Sequence, residues 1–369
     1  MNSPVGTRSQ TQDELSDAFL ERMLQSAGGF FDILGMYFGV RLGLYRALAD
    51  HGAQTTEELA SQTKTHERYL REWVEQQAVT GVIEVENEEV DPGSRRYHLP
   101  NAYQEVLLEE TSLNYLAPLT RLLAGTVRPL DSLLAAFRSG EGVPYGDYGE
   151  DLREGQAALN RPMFLQLLGQ QWIPAMPDVH QRFQEDPPAR VADIGCGAGW
   201  SSIGLAQVFP RVEVDGFDFD EPSIELANKN VKDSGLSDRV KMQTRDAGDP
   251  ELAGTYDLVM AFECIHDLSD PVGVLRIMKR LAGERGTVFI MDEKVSDRFR
   301  VKESGMDWFF YGFSFLHCLP AGMTEKPSAE TGTVMRPDTL RRYAEEAGYS
   351  KFEILPIENF FFRFYRLNP

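Results

Sequence analysis

Residues 191–206, VADIGCGAGWSSIGLA, combine an apolar run, a glycine-rich turn and the start of a helix. Glycine serves where a backbone needs positive φ or must come close to a ligand. In open α/β sheets, ligands bind at the carboxyl ends of the strands, where a strand–turn–helix unit of this kind lies. The stretch therefore predicts a ligand site at this turn, with a backbone formed by Gly195, Cys196, Gly197 and Gly199.

The turn departs from the dinucleotide fingerprint G-x-G-x-x-G, whose third glycine lets helix and strand pack closely. Gly199 stands one position too early for that glycine, and the bulky Trp200 occupies the place itself. Asp193 adds a carboxylate just before the turn, and a carboxylate pairs with a cationic group rather than with a pyrophosphate. The turn therefore disfavours a nicotinamide-dependent oxidoreductase.

Two further acids follow the next two predicted strands. Asp218 ends the strand in VDGFD, where a carboxylate can accept both hydroxyls of a ribose. Asp246 follows the strand in KMQTR, in a position to accept from the exocyclic amine of a base. Each acid alone is explained equally well as a helix cap or a loop residue. Three carboxylates at successive strand ends together suit S-adenosylmethionine, which carries an ammonium, a ribose and an adenine.

Strands and helices alternate along the second half of the chain, which predicts a doubly wound α/β sheet. The last two strands are joined by a short turn near Asn359, so we expect them to pair antiparallel as an edge hairpin. Helices are predicted at 200–208, 221–234, 271–282 and 337–347. Strands are predicted at 190–194, 212–217, 240–245, 256–262, 287–292, 352–357 and 361–366.

Residues 185–295 resemble the core of class I S-adenosylmethionine-dependent methyltransferases. The resemblance is carried by the motifs VADIGCGAGW, VDGFDFDEPSIELA, QTRDAGD and YDLVMAFECIHDLSDP, with FFRFYRL as a matching edge strand. Further motifs, among them GVPYGDYGE, NRPMF, FSFLHCLPAG and MRPDTLRRYAEEAGY, resemble a bacterial group with a winged-helix-like domain before this core. The resemblance implies a seven-stranded Rossmann-like sheet with an antiparallel last strand.

The resemblance also implies which residues contact the cofactor. These contacts are Asp193 and residues 195–197 to the methionine part, Asp218 and Phe219 to the ribose, Asp246 and Ala247 to the adenine, and Phe262 along the pocket wall. Substrates in the bacterial group are mostly unassigned. The resemblance therefore indicates a fold and a cofactor but no particular methyl acceptor.

The region before this core predicts a mainly helical, winged-helix-like dimerisation domain at residues 16–140. Two short helices that begin near Thr55 and Thr65 precede a small hairpin built from VIEV, DPGS and YHL. A DNA-reading domain would present a basic second helix, whereas Arg68 and Arg71 here stand among glutamates. The formal net charge of −20 also opposes binding to phosphate backbones. A scaffold that forms a homodimer is therefore favoured over a DNA-binding module.

The chain of 369 residues is long enough for two domains. Around the dimerisation domain we expect a disordered tail at 1–15, a linker and connecting helix at 141–185, and the methyltransferase domain at 186–369. Three widely spaced cysteines predict neither a disulfide framework nor a zinc site and fit the cytoplasm. The sequence shows no apolar run long enough for a membrane span and no secretory signal.

Residues 262–270, FECIHDLSD, place an ionisable cluster directly after a buried apolar strand. The run HDLSD resembles the HDWSD run of small-molecule O-methyltransferases, whose histidine is the base, although Leu268 replaces the tryptophan. By this resemblance, His266 would take the acceptor proton, oriented by Asp267 or Glu263. The alternative is that His266 only begins the following helix, with a neighbouring aspartate as its cap.

The segment 298–335 is a long insertion after the fifth strand and is rich in aromatic residues. Insertions of this length commonly form lids or binding walls, and an aromatic wall suits a planar acceptor or a sulfonium. Tyr311, Phe315 and His317 are therefore candidate substrate contacts. The alternative is a dimer contact or ordinary core packing. His317 and Cys318 alone do not make a metal site, so no metal is expected.

Together these features predict a cytoplasmic enzyme that transfers a methyl group from S-adenosylmethionine to a small molecule, with O-methylation as the expected reaction. Asp292 and Glu293, which end the fifth strand, are further site candidates. The alternative from another class is a winged-helix transcriptional regulator that binds S-adenosylmethionine without catalysis. Neither the acceptor nor the methylated atom follows from the sequence.

Overall fold

The computed structural model describes residues 11–301 and 305–368, and the chain divides into two compact units, Met1–Thr120 and Arg121–Pro369. Of the predicted disordered tail, residues 1–10 lie outside the described residues. Residues 12–15 form the first turn of a helix instead, because Thr11 and Glu14 make a capping box. The Thr11 hydroxyl accepts from the backbone N–H of Glu14, and the Glu14 carboxylate accepts from that of Thr11.

The first unit is mainly helical and contains a small antiparallel hairpin, as predicted. Thr55 caps its third helix through a capping box with Glu58, which confirms the predicted helix start. His66, rather than the predicted Thr65, caps the fourth helix. The elements are α1 (Gln12–Arg41), α2 (Leu44–His51), α3 (Thr56–Thr63), α4 (Glu67–Val79), β1 (Glu84–Val85), β2 (Tyr97–His98) and α5 (Asn101–Leu108).

Helices of the second unit lie mainly before the sheet and between its strands. Two segments, Phe164–Trp172 and Ser314–Cys318, are π-helical. Among the described residues, no helix combines the length and the apolarity that crossing a membrane requires. The remaining α-helices are α6 (Ala117–Thr126), α7 (Leu130–Ser139), α8 (Gly149–Met163), α9 (Pro177–Arg182), α10 (Trp200–Val208), α11 (Glu221–Asp233), α12 (Pro271–Ala282), α13 (Asp307–Phe313), α14 (Leu319–Gly322) and α15 (Pro337–Glu346).

A seven-stranded sheet forms the centre of the second unit, in the order β5-β4-β3-β6-β7-β9-β8. Strand β9 is antiparallel to both of its neighbours, and the other pairs are parallel. This topology confirms the predicted doubly wound sheet with an antiparallel last strand. The strands are β3 (Arg190–Ile194), β4 (Glu213–Asp218), β5 (Val240–Thr244), β6 (Leu258–Phe262), β7 (Thr287–Glu293), β8 (Lys351–Ile354) and β9 (Phe362–Asn368).

The predicted antiparallel hairpin at the sheet edge is confirmed, but the expectation that its second strand, FFRFYRL, is the edge strand was wrong. Strand β9 pairs with β7 on one side and with β8 on the other, so β8 is the edge strand. Phe364 of β9 packs in the core on one face of the sheet, and Tyr365 and Leu367 pack in the core on the other face. A strand that is buried on both faces belongs inside a sheet, whereas most residues of β8 are exposed.

Both faces of the sheet are covered by helices, and residue alternation along β6 shows the two cores. Met260 and Phe262 point into a core shared with α10 and α11, whereas Val259 and Ala261 point into one shared with α12 and α15. The chain runs outward from β3 to β4 on one side, while β6 and β7 lie on the other. This switch point places the carboxyl ends of β3, β4, β6 and β7 beside one crevice, which is where ligands bind in such sheets.

Candidate functional site

The glycine-rich turn after β3 needs its glycines for conformation and for space. Gly195, Gly197 and Gly199 all have positive φ, at 66°, 49° and 78°. A Cβ on Gly199 would lie 2.9 Å from the side chain of Met242, so this glycine lets the helix start pack against the sheet. A Cβ on Gly197 would meet nothing within 4 Å. Since Gly197 also lines a cavity, its backbone is open to a ligand.

Asp193 lies at the bottom of this turn and is almost fully buried. Its Oδ2 atom accepts hydrogen bonds from the hydroxyls of Ser201, at 2.5 Å, and Ser202, at 2.7 Å. Burial raises the pKa of Asp193 to about 6, although the two serine hydroxyls oppose the shift. Asp193 borders the cavity as predicted, but its carboxylate mainly fastens the first turn of α10 to β3.

Asp218 ends β4 and receives two backbone N–H groups. Its Oδ2 accepts from Gly197 at 2.9 Å, and its Oδ1 accepts from Asp220 at 2.9 Å. Burial raises the pKa of Asp218, which the backbone hydrogen bonds oppose. Each carboxylate oxygen keeps a further lone pair that can accept from a hydroxyl. Phe219 beside it is exposed, and its ring packs edge-on against that of Tyr145, with centroids 5.8 Å apart.

Asp246 and Ala247, the predicted adenine contacts, follow β5. Asp246 is exposed, and its Oδ1 accepts from the backbone N–H of Gly248 at 2.8 Å. This is the local turn hydrogen bond that aspartate commonly makes to its own backbone. Ala247 is half-buried and packs against the apolar core below the sheet. The structure therefore places both residues at a strand end of the switch region, without bringing them to the cavity that Gly197 lines.

One face of α8 forms the wall opposite the glycine-rich turn, which sequence reasoning missed. Arg153, Gln156, Ala157 and Asn160 line the cavity at the spacing i, i+3, i+4 and i+7, which is one helix face. The Arg153 guanidinium binds the Asp220 carboxylate through two nitrogens, at 2.6 and 3.2 Å. Polar side chains at this spacing were a readable signal, but the segment 141–185 was interpreted as a linker and connecting helix.

Phe262 and Glu263, at the end of β6, close the cavity between these two walls. The Phe262 ring stacks on that of Phe164 with centroids 5.6 Å apart. Glu263 has a φ of 54°, which is unusual for a residue other than glycine. Its carboxylate accepts from the side-chain amides of Gln156, at 3.2 Å, and Asn160. Glu263 was predicted to orient His266, but its hydrogen bonds go to α8.

His266 lies in a short 3-10 turn after β6, and its side chain is 2% exposed. Its Nδ1 lies 2.8 Å from Oδ1 of Asp292 and 3.1 Å from Oε2 of Glu293, both at the end of β7. Its Nε2 lies 3.0 Å from Oδ1 of Asp267. Burial lowers the pKa of His266, but Asp292, Glu293 and Asp267 together raise it well above its ordinary value. The following helix is capped by Asp270, whose Oδ1 accepts from Gly273 at 2.8 Å, so His266 itself is not a cap.

The three predicted substrate residues differ in exposure and contact different neighbours in the structure. Tyr311 and Phe315 are exposed by 39% and 46%. The Tyr311 hydroxyl accepts from Arg336 at 3.1 Å, and the Phe315 ring packs edge-on against Phe137. His317 is buried, and its ring lies edge-on to that of Tyr148, with centroids 4.6 Å apart. Burial raises the pKa of Asp267, whereas His266 and His317 lower it. Of the three, only His317 adjoins the cluster around His266.

Two groups of side chains have metal-ligating atoms close together. Within the described part of the chain, the ligand atoms of His266, Asp267 and Cys318, and those of His266, Asp292 and Glu293, lie within 4.8 Å of one another. Hydrogen bonding between His266 and Asp292 satisfies the imidazole without an ion. The expectation that this chain needs no metal stays a prediction.

Comparison with known proteins supplies two family matches. Residues 185–348 match the family described as a methyltransferase domain, and residues 33–108 match the Rv2258c-like winged helix-turn-helix domain.

Among curated relatives, a ubiquinone biosynthesis O-methyltransferase of Pseudomonas aeruginosa is 32% identical over 101 residues, which is 27% of this chain and 43% of that protein. The ajmaline N-methyltransferase of Rauvolfia serpentina is 29% identical over 113 residues, 30% of this chain and 38% of that protein. The chain thus spans less than half the length of these relatives.

Solved structures match along nearly the whole chain but at low identity. Human N-acetylserotonin methyltransferase in complex with S-adenosylmethionine has a TM-score of 0.68 at 16% identity, covering 98% of this chain and 99% of that one. A putative O-methyltransferase from Nostoc punctiforme has a TM-score of 0.66 at 19% identity, covering 98% and 100%. The mitomycin 7-O-methyltransferase MmcR has a TM-score of 0.70 at 16% identity, covering 96% and 99%. At these identities the likeness shows a shared fold.

Proposed function

We propose that this chain is an S-adenosylmethionine-dependent methyltransferase that methylates a small-molecule acceptor, because residues 185–348 match a methyltransferase domain and residues 33–108 match a winged helix-turn-helix domain. The observation that carries the proposal is the cavity beside the glycine-rich turn at the switch point of the sheet. Gly197 opens its backbone to this cavity, and its N–H group is tied to Asp218 at the next strand end. Oxygen is the expected acceptor atom.

Different residues hold the three parts of the cofactor. The backbone of residues 195–199, beside the cavity, holds the methionine end. Asp218 and Phe219 at the end of β4 hold the ribose, and Asp246 and Ala247 after β5, outside the cavity, hold the adenine. Asp218 suits the ribose because its two oxygens already accept from backbone N–H groups, which fix the carboxylate for further hydrogen bonds. Phe262 packs at the strand end where the reactive methyl group would lie.

For methyl transfer, the protein mainly has to align the acceptor with the methyl group and to exclude water from the site. S-adenosylmethionine, when bound, supplies an electrophilic methyl carbon on a sulfonium. Held beside the glycine-rich turn, it would pass this carbon to an acceptor lone pair, and the carbon–sulfur bond would break to release the thioether. An acceptor hydroxyl must also lose its proton, and we propose that His266 takes it. Asp292 fixes the imidazole by accepting from Nδ1, which leaves Nε2 as the basic atom.

The base role requires a neutral imidazole. Burial disfavours the charged imidazole, but Asp292, Glu293 and Asp267 raise the pKa of His266 overall. In the structure Nε2 lies beside Asp267, which favours a proton between the two groups. Abstraction at Nε2 therefore needs Asp267 to move aside and the second proton to leave. The reaction is expected to speed up as the pH rises through the pKa of His266.

The alternative, a DNA-binding regulator, has less support. Arg68 and Arg71 on α4 form ion pairs with Glu72 and Glu67 one helical turn away. A recognition helix must offer its cations to phosphates or bases, and here neighbouring carboxylates hold them. A gel-shift assay over a range of salt concentrations with the gene's own upstream DNA separates the two functions. Saturable, sequence-specific retardation would favour the regulator.

The N-terminal helix supports a homodimer. Eight large apolar side chains of α1 are exposed by 53% to 67%, and exposed apolar patches of this kind usually mark an interaction surface. These residues are Leu15, Phe19, Leu20, Met23, Leu24, Phe30, Phe31 and Phe38. We propose that a second copy covers this face.

The free state of the three cysteines supports a reducing compartment such as the cytoplasm.

The experiment that tests the proposed function is calorimetry with S-adenosylhomocysteine and, separately, with NAD. A methyltransferase binds S-adenosylhomocysteine at one site per chain and gives no saturable heat with NAD. Asp218→Asn is the matched variant, because it keeps the shape of the side chain and removes its charge. It is expected to weaken S-adenosylhomocysteine binding about tenfold. Binding of NAD alone would refute the proposal.

A further inference from the structure

We propose that Glu263, and not Asp193, binds the α-ammonium group of the methionine part of S-adenosylmethionine. This inference rests on the proposed function and assigns the charged contact that the reactive end of the cofactor needs. An ammonium group buried at a protein site requires an opposite charge and hydrogen-bond acceptors. Two carboxylates, Asp193 and Glu263, line the cavity and compete for this role.

One carboxylate oxygen of Asp193, Oδ2, is already occupied by neighbouring hydroxyl groups. Its Oδ2 accepts from the hydroxyls of both Ser201 and Ser202, and the backbone N–H of Ser202 adds a further bond. The side chain is 1% exposed, beneath the turn. A carboxylate in that position stabilises the junction of β3 and α10, because it satisfies donors at the start of the helix. It presents little of itself to a ligand.

Glu263 is held at the other side of the cavity in the opposite situation. Gln156 and Asn160, one turn apart on α8, each donate one amide N–H to one of its oxygens. These donors are neutral, so they fix the direction of the carboxylate without neutralising a charge. The residue also has a φ of 54°, and non-glycine residues held in this region cluster at ligand sites. The backbone N–H of Glu263 donates to the backbone carbonyl of Met291, at 2.8 Å, which secures this conformation.

Charge around Glu263 makes a cationic ligand favourable. Burial and the nearby Glu293 raise the pKa of Glu263, while His266 and the two amides oppose the shift. The carboxyl group therefore keeps a proton more readily than an exposed glutamate does. An ammonium group placed against it supplies the missing positive charge, so the proton leaves when the cofactor binds.

The test compares S-adenosylhomocysteine with its deaminated analogue, in which hydrogen replaces the amino group. Calorimetry gives the affinity of both ligands for the intact chain and for Glu263→Gln. The variant should weaken S-adenosylhomocysteine at least tenfold, as expected for a charge-assisted hydrogen bond. It should change the affinity of the deaminated analogue less than twofold. Asn160→Ala should show the same pattern more weakly, because it loosens the carboxylate without removing it.

Three results would overturn the inference. Equal weakening of both ligands by Glu263→Gln would mean that the residue only supports the fold of the cavity. Unchanged binding of both ligands would mean that another group holds the ammonium. Asp193→Asn is the matched comparison, and a selective loss of S-adenosylhomocysteine in that variant would return the role to Asp193. Failure of the unaltered chain to bind either ligand is a different result, since it refutes the proposed function and with it this assignment. Far-ultraviolet circular dichroism confirms that each variant is folded.

Discussion

The Nδ1 atom of His266 and the Oδ1 atom of Asp292 lie 2.8 Å apart, in side chains that are 2% and 1% exposed. They come from the ends of two neighbouring parallel strands, 26 positions apart in the chain. The hydrogen bond fixes the ring of His266, and its other nitrogen faces Asp267 at 3.0 Å. A histidine held this way either moves a proton or stabilises the strand ends as a buried cation.

Replacing His266 with glutamine separates these roles. The amide keeps much of the size and hydrogen bonding of the imidazole but cannot take a proton. If His266 is the base, turnover should fall about 100-fold or more, while calorimetry shows unchanged binding of S-adenosylhomocysteine. Turnover within a few-fold of the unaltered chain would assign His266 a structural role.

The pH dependence of turnover checks the same residue through Asp292. The folded pKa of His266 is raised, and only the neutral form can accept a proton. Turnover should therefore be low below that pKa and should rise as the pH passes through it. Asp292→Asn removes the carboxylate that raises the pKa of His266 most, so the rise in turnover should move to lower pH. A profile that stays in place would show that His266 does not control the rate.

Replacing Gly197 with alanine should weaken the cofactor site by adding a methyl group where the cavity is open. The control is Gly235→Ala, because Gly235 has a similar φ of 68° and a Cβ there also meets nothing within 4 Å. Both variants should lose about 1–2 kcal/mol of stability, measured by urea unfolding, from the strained conformation. Only Gly197→Ala should weaken S-adenosylhomocysteine. Equal affinities in both variants would place the cofactor elsewhere.

The ion pair between Arg153 and Asp220 should contribute strongly to stability, because both side chains are largely buried. Arg153→Met leaves Asp220 as an unpaired charge, and the expected loss is about 3–5 kcal/mol. Arg68→Met breaks an exposed pair with Glu72 and should cost less than about 1 kcal/mol. Urea unfolding of the two variants provides the comparison. Similar losses of unfolding free energy in both variants would mean that the Arg153–Asp220 ion pair does not stabilise the position of α8.

A charge introduced on the exposed face of α1 should dissociate the proposed homodimer into monomers. Leu24 is 67% exposed in the single chain, so Leu24→Glu leaves the fold intact while placing a carboxylate in the interface. Sedimentation equilibrium should show a dimer for the unaltered chain and a monomer for this variant. Gln25→Glu adds the same charge one position along the helix and tests whether charge alone is responsible. A monomeric unaltered chain would contradict the proposal.

Much of the fold could be predicted because its signals are local. The strand at 190–194 and the helices at 200–208 and 271–282 were predicted with the bounds that the structure has. Apolar runs, glycine turns and caps are set by neighbouring residues, so the sequence displays them directly. The position of β9 inside the sheet could not be read this way, because strand order depends on which faces are buried.

The site was less predictable because its partners are far apart in the chain. Asn160 lies 103 positions before Glu263, and Asp292 lies 26 positions after His266. The sequence marks the ends of strands as candidate positions, but it does not show which side chain a given carboxylate meets. The ionisable run at 262–270 was identified for this reason, whereas the polar face of α8 was missed.

A crystal structure of the chain with S-adenosylhomocysteine tests the central claim most directly. We expect the ligand beside the glycine-rich turn, with its ribose hydroxyls on Asp218, its amino group on Glu263 and its sulfur near Phe262. The position of the lost methyl group would then point toward the residue that receives the acceptor. Ligand bound away from the cavity, or a ribose that makes no contact with Asp218, would contradict the assignment of this cavity as the cofactor site.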